Sequence, residues 1–199
     1  MKIRIAAFLT TIVGLTAAAV PSALASTAWD LRVSGSVAKI VTLPVGTIGA
    51  KSTQTGTLTI SVKTDWVDSR ATVDSPNIIQ AGLSSDASQW KLQIAHKSSN
   101  PHQAQCRVKG LAGGVIRADG PDIDVANGQW HTIVCVKSPD SGSSTKVQVF
   151  VDGVAGKAYT VSRIGDVLPT RQPTAGGRST VSDSDSLDGW ADGFSMVTS

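Results

Sequence analysis

The chain has 199 residues, 41% of them hydrophobic, and a formal net charge of +3. This length is enough to bury the core of one domain without depending on crosslinks. Two of the basic residues, Lys2 and Arg4, lie at the very N-terminus, so the rest of the chain is almost neutral, which argues against nucleic acid as a partner.

The first residues have the three parts of a secretory signal peptide. The basic pair Lys2 and Arg4 is followed by an apolar run over 5–20 and by the small-residue triplet 23–25. The run of 16 residues is shorter than the roughly 20 that a membrane-spanning helix needs, although an uncleaved anchor is an alternative. We predict cleavage after Ala25, a secreted, extracellular protein and no membrane attachment after cleavage.

Beyond this segment, short alternating runs recur, separated by clusters of Gly, Pro, Asn, Asp and Ser. The clearest run, 57–63, places Leu58, Ile60 and Val62 on one face. Many short strands at this spacing predict an all-β, two-sheet antiparallel β-sandwich, forming one domain over residues 26–199. The predicted strands are 29–33, 37–43, 57–63, 77–81, 90–94, 106–111, 115–118, 130–137, 146–151 and 193–197.

The most specific pattern is a pair of strands, one beginning with Trp130-His131 and the other ending with Asp152-Gly153. Asp-Gly is a turn signal because both residues tolerate positive φ. Asn127-Gly, one further residue and Trp-His, followed by two alternating apolar strands and Asp-Gly, closely resembles the central hairpin of laminin G-like domains. The resemblance implies the concanavalin A-like jelly roll of secreted and cell-surface proteins.

The two cysteines, Cys106 and Cys135, each lie inside an apolar, strand-like run. Behind a signal peptide, an oxidised pair is the expected state. We therefore predict a disulfide that ties two strands together and stabilises the fold by about 3–4 kcal/mol through loop closure. The alternative is a reactive or metal-binding thiol pair, which is opposed by the wide spacing and the lack of a nearby His/Cys cluster.

Four of the five tryptophans are predicted to supply large apolar area to the core: Trp29, Trp66, Trp90 and Trp130. The fifth, Trp190, lies beside a segment rich in Gly and Asp, which makes it the candidate for stacking on a sugar. His131 is predicted to be a strand residue with satisfied hydrogen bonds, with a catalytic base as the alternative.

No catalytic residue is predicted, because all 15 acidic residues are aspartates. The resemblance extends to laminarinase-like β-glucanases, which share the fold and carry a Glu-x-Asp-x-x-Glu strand, where one Glu attacks and the other donates the proton. The closely spaced aspartates of this chain lie in loop-like sequence instead. Nucleophile-elbow, zinc and phosphate-loop motifs are absent as well.

No cofactor is predicted, and calcium is the one ion with a candidate site. The resemblance implies such a site, since laminin G-like domains often hold calcium on a loop rim through aspartate and carbonyl oxygens. Asp183, Asp185 and Asp188 offer these oxygens at close spacing, without the spacing of an EF-hand. A solvated loop is the alternative interpretation of the same residues.

The resemblance implies a secreted, non-catalytic recognition module for an extracellular glycan or glycoconjugate, with Trp190, Asp188 and Asp192 as candidate ligand-binding residues. The alternative is an extracellular module for protein interaction or structure, whose partner is another protein. A glycoside hydrolase is the least favoured interpretation. A cluster of exposed aromatic residues on one sheet would favour the glycan over the protein partner.

Overall fold

The computed structural model describes residues 28–32, 39–43, 51–66, 75–95, 102–178 and 185–199. These ranges contain thirteen strands and no helix, and the paired strands are all antiparallel. The predicted signal peptide, residues 1–25, lies outside them, so the cleavage and the domain bounds at 26–199 stay predictions. None of the described segments forms a helix of the length and hydropathy needed to cross a bilayer.

The first sheet has seven strands, with β1 at one edge and β10 at the other. Its spatial order is β1 (Trp29–Asp30), β13 (Gly189–Thr198), β3 (Leu58–Trp66), β8 (His131–Pro139), β9 (Thr145–Val151) and β10 (Val154–Ala155), and β11 (Tyr159–Val161) also pairs with β9. The second sheet has six strands. Its order is β2 (Val41–Thr42), β12 (Thr174–Ala175), β4 (Asn77–Ala81), β5 (Gln89–Ala95), β6 (Gln103–Lys109) and β7 (Val115–Asp119).

Alternate residues of both sheets fill the space between them. Leu58, Ile60 and Val62 of β3 are fully buried, as their alternation predicts. Each such side chain contributes about 1.5–3 kcal/mol by leaving water. Because a one-residue slip would turn this apolar row outward, the burial fixes the strand register. The prediction of a two-sheet antiparallel β-sandwich is confirmed.

The central hairpin is confirmed as well. Strands β8 and β9 pair in the register that places Cys135 opposite Val149. Asp152 and Gly153 follow β9 with φ values of 50° and 82°, the left-handed conformations that the Asp-Gly signal predicts.

The disulfide between Cys106 and Cys135 is present, with 6.0 Å between the two Cα atoms. Cys106 lies on β6 of the six-stranded sheet and Cys135 on β8 of the seven-stranded sheet. The bond therefore joins the two layers of the sandwich through its core. Neither cysteine is free, so the alternative of a reactive or metal-binding thiol pair is wrong.

The prediction that four tryptophans supply the core is only partly confirmed. Trp90 is fully buried and Trp29 packs against the core, but Trp130 is 48% exposed. The reason is strand parity: His131 and the odd-numbered residues after it face inward, which leaves Trp130 outside, one residue before β8. Trp66 ends β3, and its side chain lies outside the described part.

Three short strands were not predicted: β10, β11 and β12. The closing strand is also longer than the predicted 193–197, because it begins at Gly189. It contains a bulge between Asp192 and Ser195, and inside the bulge Phe194 stacks on Trp90 with 6.4 Å between the ring centroids. The extra residue of a bulge changes the direction in which a side chain points, and here it lets Phe194 reach Trp90.

Candidate functional site

The outer face of the six-stranded sheet is polar along β5, β6 and β7. On these strands the inward positions belong to the apolar core, such as Leu92 and Val108. The alternate residues must point to the opposite face because side chains alternate along a strand. Strand pairing then brings the polar residues of the three strands together as two parallel rows.

The first row, called here the basic row, consists of Lys91, Arg107 and Arg117. The strand register places Lys91 opposite Arg107 and Arg107 opposite Arg117. Like charges directly opposite one another destabilise a sheet. No carboxylate of the described residues forms an ion pair with these three side chains, so the row is a local concentration of positive charge.

The ammonium of Lys91 donates a hydrogen bond to Asn77 Oδ1 at 3.0 Å. Burial lowers the pKa of Lys91 to about 8, and the positive charges of Arg107 and Arg117 act in the same direction, against the opposing effect of Asp185. Burial and the charge of Arg117 also lower the pKa of Arg107. Holding these charges in one partly buried place therefore disfavours the charged forms of Lys91 and Arg107.

The second row, called here the amide row, consists of Gln93, Gln105 and Asp119. Gln93 Nε2 donates to Gln105 Oε1 at 2.7 Å, and Gln105 Nε2 donates to Asp119 Oδ1 at 2.6 Å. The two glutamines are only 6% and 7% exposed. Hydrogen bonds in such a chain polarise one another, so the row is fixed in one orientation.

Two atoms of these rows are buried without a hydrogen-bond partner: Arg107 Nε and Gln93 Oε1. A buried polar atom that lacks a partner costs free energy, and it is rare in folded proteins. Both atoms belong to residues that line the same depression in the surface. The rows therefore offer an unused donor and an unused acceptor at one place.

Three adjoining depressions make up a groove over this face, with volumes of about 280, 400 and 440 Å3. Arg178 lines two of them and pairs with Asp185 at 3.0 Å. Volumes of this size suit small ligands. Among the described residues, none of the side chains that line the groove is aromatic. The aromatic cluster that would favour a glycan over a protein partner is therefore not found there, and the groove offers hydrogen bonds and charge instead.

Trp190 does not line this groove. It lies on β13 of the seven-stranded sheet, where the neighbouring Ala191 is fully buried, so Trp190 faces away from the core on the other side of the molecule. The guanidinium of Arg32 covers its ring at 5.0 Å from the centroid. Arg32 in turn pairs with Asp30 at 2.9 Å, and hydrogen bonding to Arg32 lowers the pKa of Asp30.

Of the predicted aspartates, the structure describes Asp185, Asp188 and Asp192. Asp192 accepts a hydrogen bond from the amide of Gly193 at 2.6 Å, Asp188 directly precedes β13, and Asp185 pairs with Arg178. Asp183 lies outside the described residues. Ligand binding by Trp190, Asp188 and Asp192, and calcium binding by Asp183, Asp185 and Asp188, therefore stay predictions.

His131 is 8% exposed, and both of its ring nitrogens have partners, as predicted for a structural residue. Nδ1 lies 2.7 Å from Asp152 Oδ2, and Nε2 lies 3.1 Å from Asn127 Oδ1. Asp152 also accepts a hydrogen bond from the amide of Thr132 at 2.8 Å. This cluster joins the start of β8 to the turn after β9.

The groove was not found from the sequence, although its signal is there. Alternation in 90–94 predicts that Trp90, Leu92 and Ile94 face inward, but it gives no role to the outward Lys91 and Gln93. The pattern becomes meaningful only when Gln105, Arg107 and Arg117 are set beside them, and that requires the strand register.

The two antiparallel layers and their polar outer face define a lectin-like β-sandwich. The chain belongs to the laminin G-like family described as the concanavalin A-like lectin/glucanases superfamily, whose model matches residues 41–198. Among curated protein sequences, none matches the chain.

Several solved structures share the fold. Domains LG4-5 of the mouse laminin α1 chain align with a TM-score of 0.62 at 15% identity, over 91% of this chain and 44% of that chain. The LG1-3 region of the laminin α2 chain has a TM-score of 0.52 at 9% identity, over 79% and 28%. The receptor-binding domain of botulinum neurotoxin D has a TM-score of 0.52 at 13% identity, over 83% and 39%. The chain thus spans less than half the length of these proteins, and the identities show the fold alone.

Proposed function

We propose that the protein is a secreted, non-catalytic recognition module that binds a glycan or glycoconjugate in the groove of the six-stranded sheet. The observation that carries the proposal is the amide row, which ends in the buried, unpartnered Gln93 Oε1. Sugar hydroxyls both donate and accept hydrogen bonds, and fixed amide and carboxylate groups are suitable partners for them. Gln93 Oε1 is buried, so the covering side chains must move to admit a hydroxyl. A hydroxyl that then donates to this oxygen would remove the cost of leaving it unpaired.

The acidic residues of the groove support a binding role over a hydrolytic one. Among the described lining residues only Asp119 and Asp185 are acidic, and they line different depressions. Each already has a partner, since Asp119 accepts from Gln105 and Asp185 pairs with Arg178. A glycoside hydrolase needs two carboxyl groups that flank one scissile bond. The receptor-binding domain of botulinum neurotoxin D shares the fold, and a recognition role for the present chain agrees with that likeness.

The test is a glycan array together with pull-down on insoluble polysaccharides, using the native chain, Gln93→Met and Gln129→Met. Met keeps the approximate size of Gln and removes its amide. Gln129 is exposed in a loop away from the groove, so it makes the same chemical change elsewhere. We expect Gln93→Met to weaken binding about tenfold and Gln129→Met to leave it unchanged, with both variants checked for fold by circular dichroism.

Two results would overturn the proposal. The native chain could bind no glycan in either assay, which would leave the alternative of a protein-interaction or structural module. Alternatively, Gln93→Met could bind as well as the native chain while remaining folded, which would place the glycan somewhere other than the amide row.

A further inference from the structure

We infer that the glycan carries an acidic group, a carboxylate or a sulfate, and that the basic row binds this group. The inference rests on the proposed function, because it names the chemical class of ligand for the same groove. It depends on different residues, however: the amide row recognises hydroxyls, and Lys91, Arg107 and Arg117 recognise the negative charge.

The geometry of the basic row favours an anion over a neutral group. Neighbouring strands lie about 4.8 Å apart, so the three cationic side chains leave the sheet at about this interval across β5, β6 and β7. A hydroxyl placed among them would satisfy a donor but leave the repulsion between the charges. An anion both accepts the hydrogen bonds and neutralises the repulsion.

Arg107 is the central residue of the row, and its Nε is the buried donor without a partner. A guanidinium presents Nε–H and Nη–H side by side, in the geometry that matches two oxygens of a carboxylate or sulfate. In the described part of the chain the lining carboxylates belong to other partners, Asp185 to Arg178 and Asp119 to Gln105. Because Nε is buried, an external anion reaches it only when the surrounding side chains move, and no described carboxylate competes for it.

The two rows are also correctly placed to act on one ligand. Arg107 and Gln105 are two residues apart on β6, and Lys91 and Gln93 are two residues apart on β5. This separation is about 6.6 Å along a strand, roughly the size of one sugar ring. One acidic sugar residue can thus place its anion on the basic row and its hydroxyls on the amide row.

The test compares acidic oligosaccharides with their neutral counterparts. One arm uses an oligouronate and the same oligomer after carboxyl reduction, and a second arm uses a sulfated oligosaccharide and its desulfated form. Calorimetric titrations are made with the native chain, Arg107→Met and Arg163→Met. Arg163 is an exposed loop residue, so its variant loses the same net charge away from the groove.

We expect one acidic oligosaccharide to bind the native chain about ten- to hundredfold more tightly than its neutral form, the effect of one charge-assisted hydrogen bond. Arg107→Met should lose this preference, and Arg163→Met should keep it. Which arm shows the preference identifies the acidic group. The NMR signal of the Arg107 Nε–H proton should also shift when sodium sulfate or sodium acetate is added. This measurement reports on the anion site without any sugar.

The outcomes separate this inference from the proposed function. Equal affinity for acidic and neutral forms would overturn the inference and leave glycan recognition intact. Equal losses in Arg107→Met and Arg163→Met would overturn it too, because net charge alone would then explain the preference. If no oligosaccharide binds but inorganic anions shift Arg107 Nε–H, the anion site stands and the glycan function falls. Silence in both measurements overturns both. If Arg107→Met does not fold, Arg107→Lys serves in its place. Lysine keeps the positive charge but lacks the paired Nε–H and Nη–H donors of the guanidinium.

Discussion

Lys137 is fully buried at an inward position of β8, where the neighbouring inward residue is Cys135. In the described structure its ammonium contacts no carboxylate. Its three N–H donors are surrounded instead by four oxygens: Thr53 O and Gly56 O, both at 2.6 Å, and Ser52 Oγ and Gln54 O at 3.1 and 3.2 Å. The ammonium thereby holds the turn that leads into β3 against the neighbouring strand.

We predict that Lys137→Met lowers the free energy of unfolding by about 3 kcal/mol. The two contacts at 2.6 Å are hydrogen bonds to a charged group, each contributing about 1.5–3 kcal/mol. Part of this sum is offset because the variant no longer buries a charge. Burial lowers the pKa of Lys137, as expected for an ammonium that has lost its hydration.

The assay is thermal unfolding followed by circular dichroism, with Lys63→Met as the control. Lys63 lies on the neighbouring strand β3 and is exposed. A loss of about 3 kcal/mol corresponds to a fall in Tm of about 6–12 °C for a chain of this size, and the control should move by less than about 2 °C. A Tm for Lys137→Met equal to that of the control would show that the carbonyl oxygens of the turn do not need the ammonium.

Two further predictions concern the crosslink and the acid side of the stability curve. Replacing Cys106 and Cys135 together by Ala should lower the free energy of unfolding by about 3.6 kcal/mol, the loop-closure value for a separation of 29 residues. Urea unfolding measures this loss. A native chain whose urea midpoint is the same with and without reductant would contradict the prediction. Burial alone would raise the pKa of Asp152, but the hydrogen bonds from His131 and the Thr132 amide lower the pKa below its ordinary value of 3.8. The ionised Asp152 therefore stabilises the fold above pH 3.8. This contribution is lost as the pH falls through the pKa that Asp152 has in the folded state. Asp152→Asn should therefore show a smaller loss of stability between pH 5 and pH 2 than the native chain, and an unchanged acid profile would mean that the pair with His131 does not form in solution.

The fold could be predicted because its signals are local. Alternation in 57–63 and 90–94 gives the inward faces of two strands, and Asp152-Gly153 gives a turn whose φ values only certain residues tolerate. Both inferences need only the neighbours of each residue along the chain. The disulfide followed from a different signal, namely two cysteines behind a predicted signal peptide.

The site could not be predicted in the same way, because its residues come together only through strand pairing. Lys91, Arg107 and Arg117 are 16 and 10 residues apart, and a different register would separate them. Trp130 shows the complementary error, since its size suggested burial while the parity of β8 put it outside. Lys137 is the opposite case, a charged residue that lies inside. It is fully buried because the backbone of another segment supplies the oxygens that its ammonium needs.

The position of Cys106 has a consequence for ligand capture. It lies between Gln105 and Arg107 on β6, so the central member of each row is one peptide unit away from the covalent bond to the opposite layer. Opening that bond would free the middle of the groove floor to shift relative to β5 and β7. Both sulfurs are fully buried, so a reductant reaches the bond only when the two layers open. We expect a chain whose disulfide has been reduced in this way and then refolded to bind its ligand more weakly than the oxidised chain.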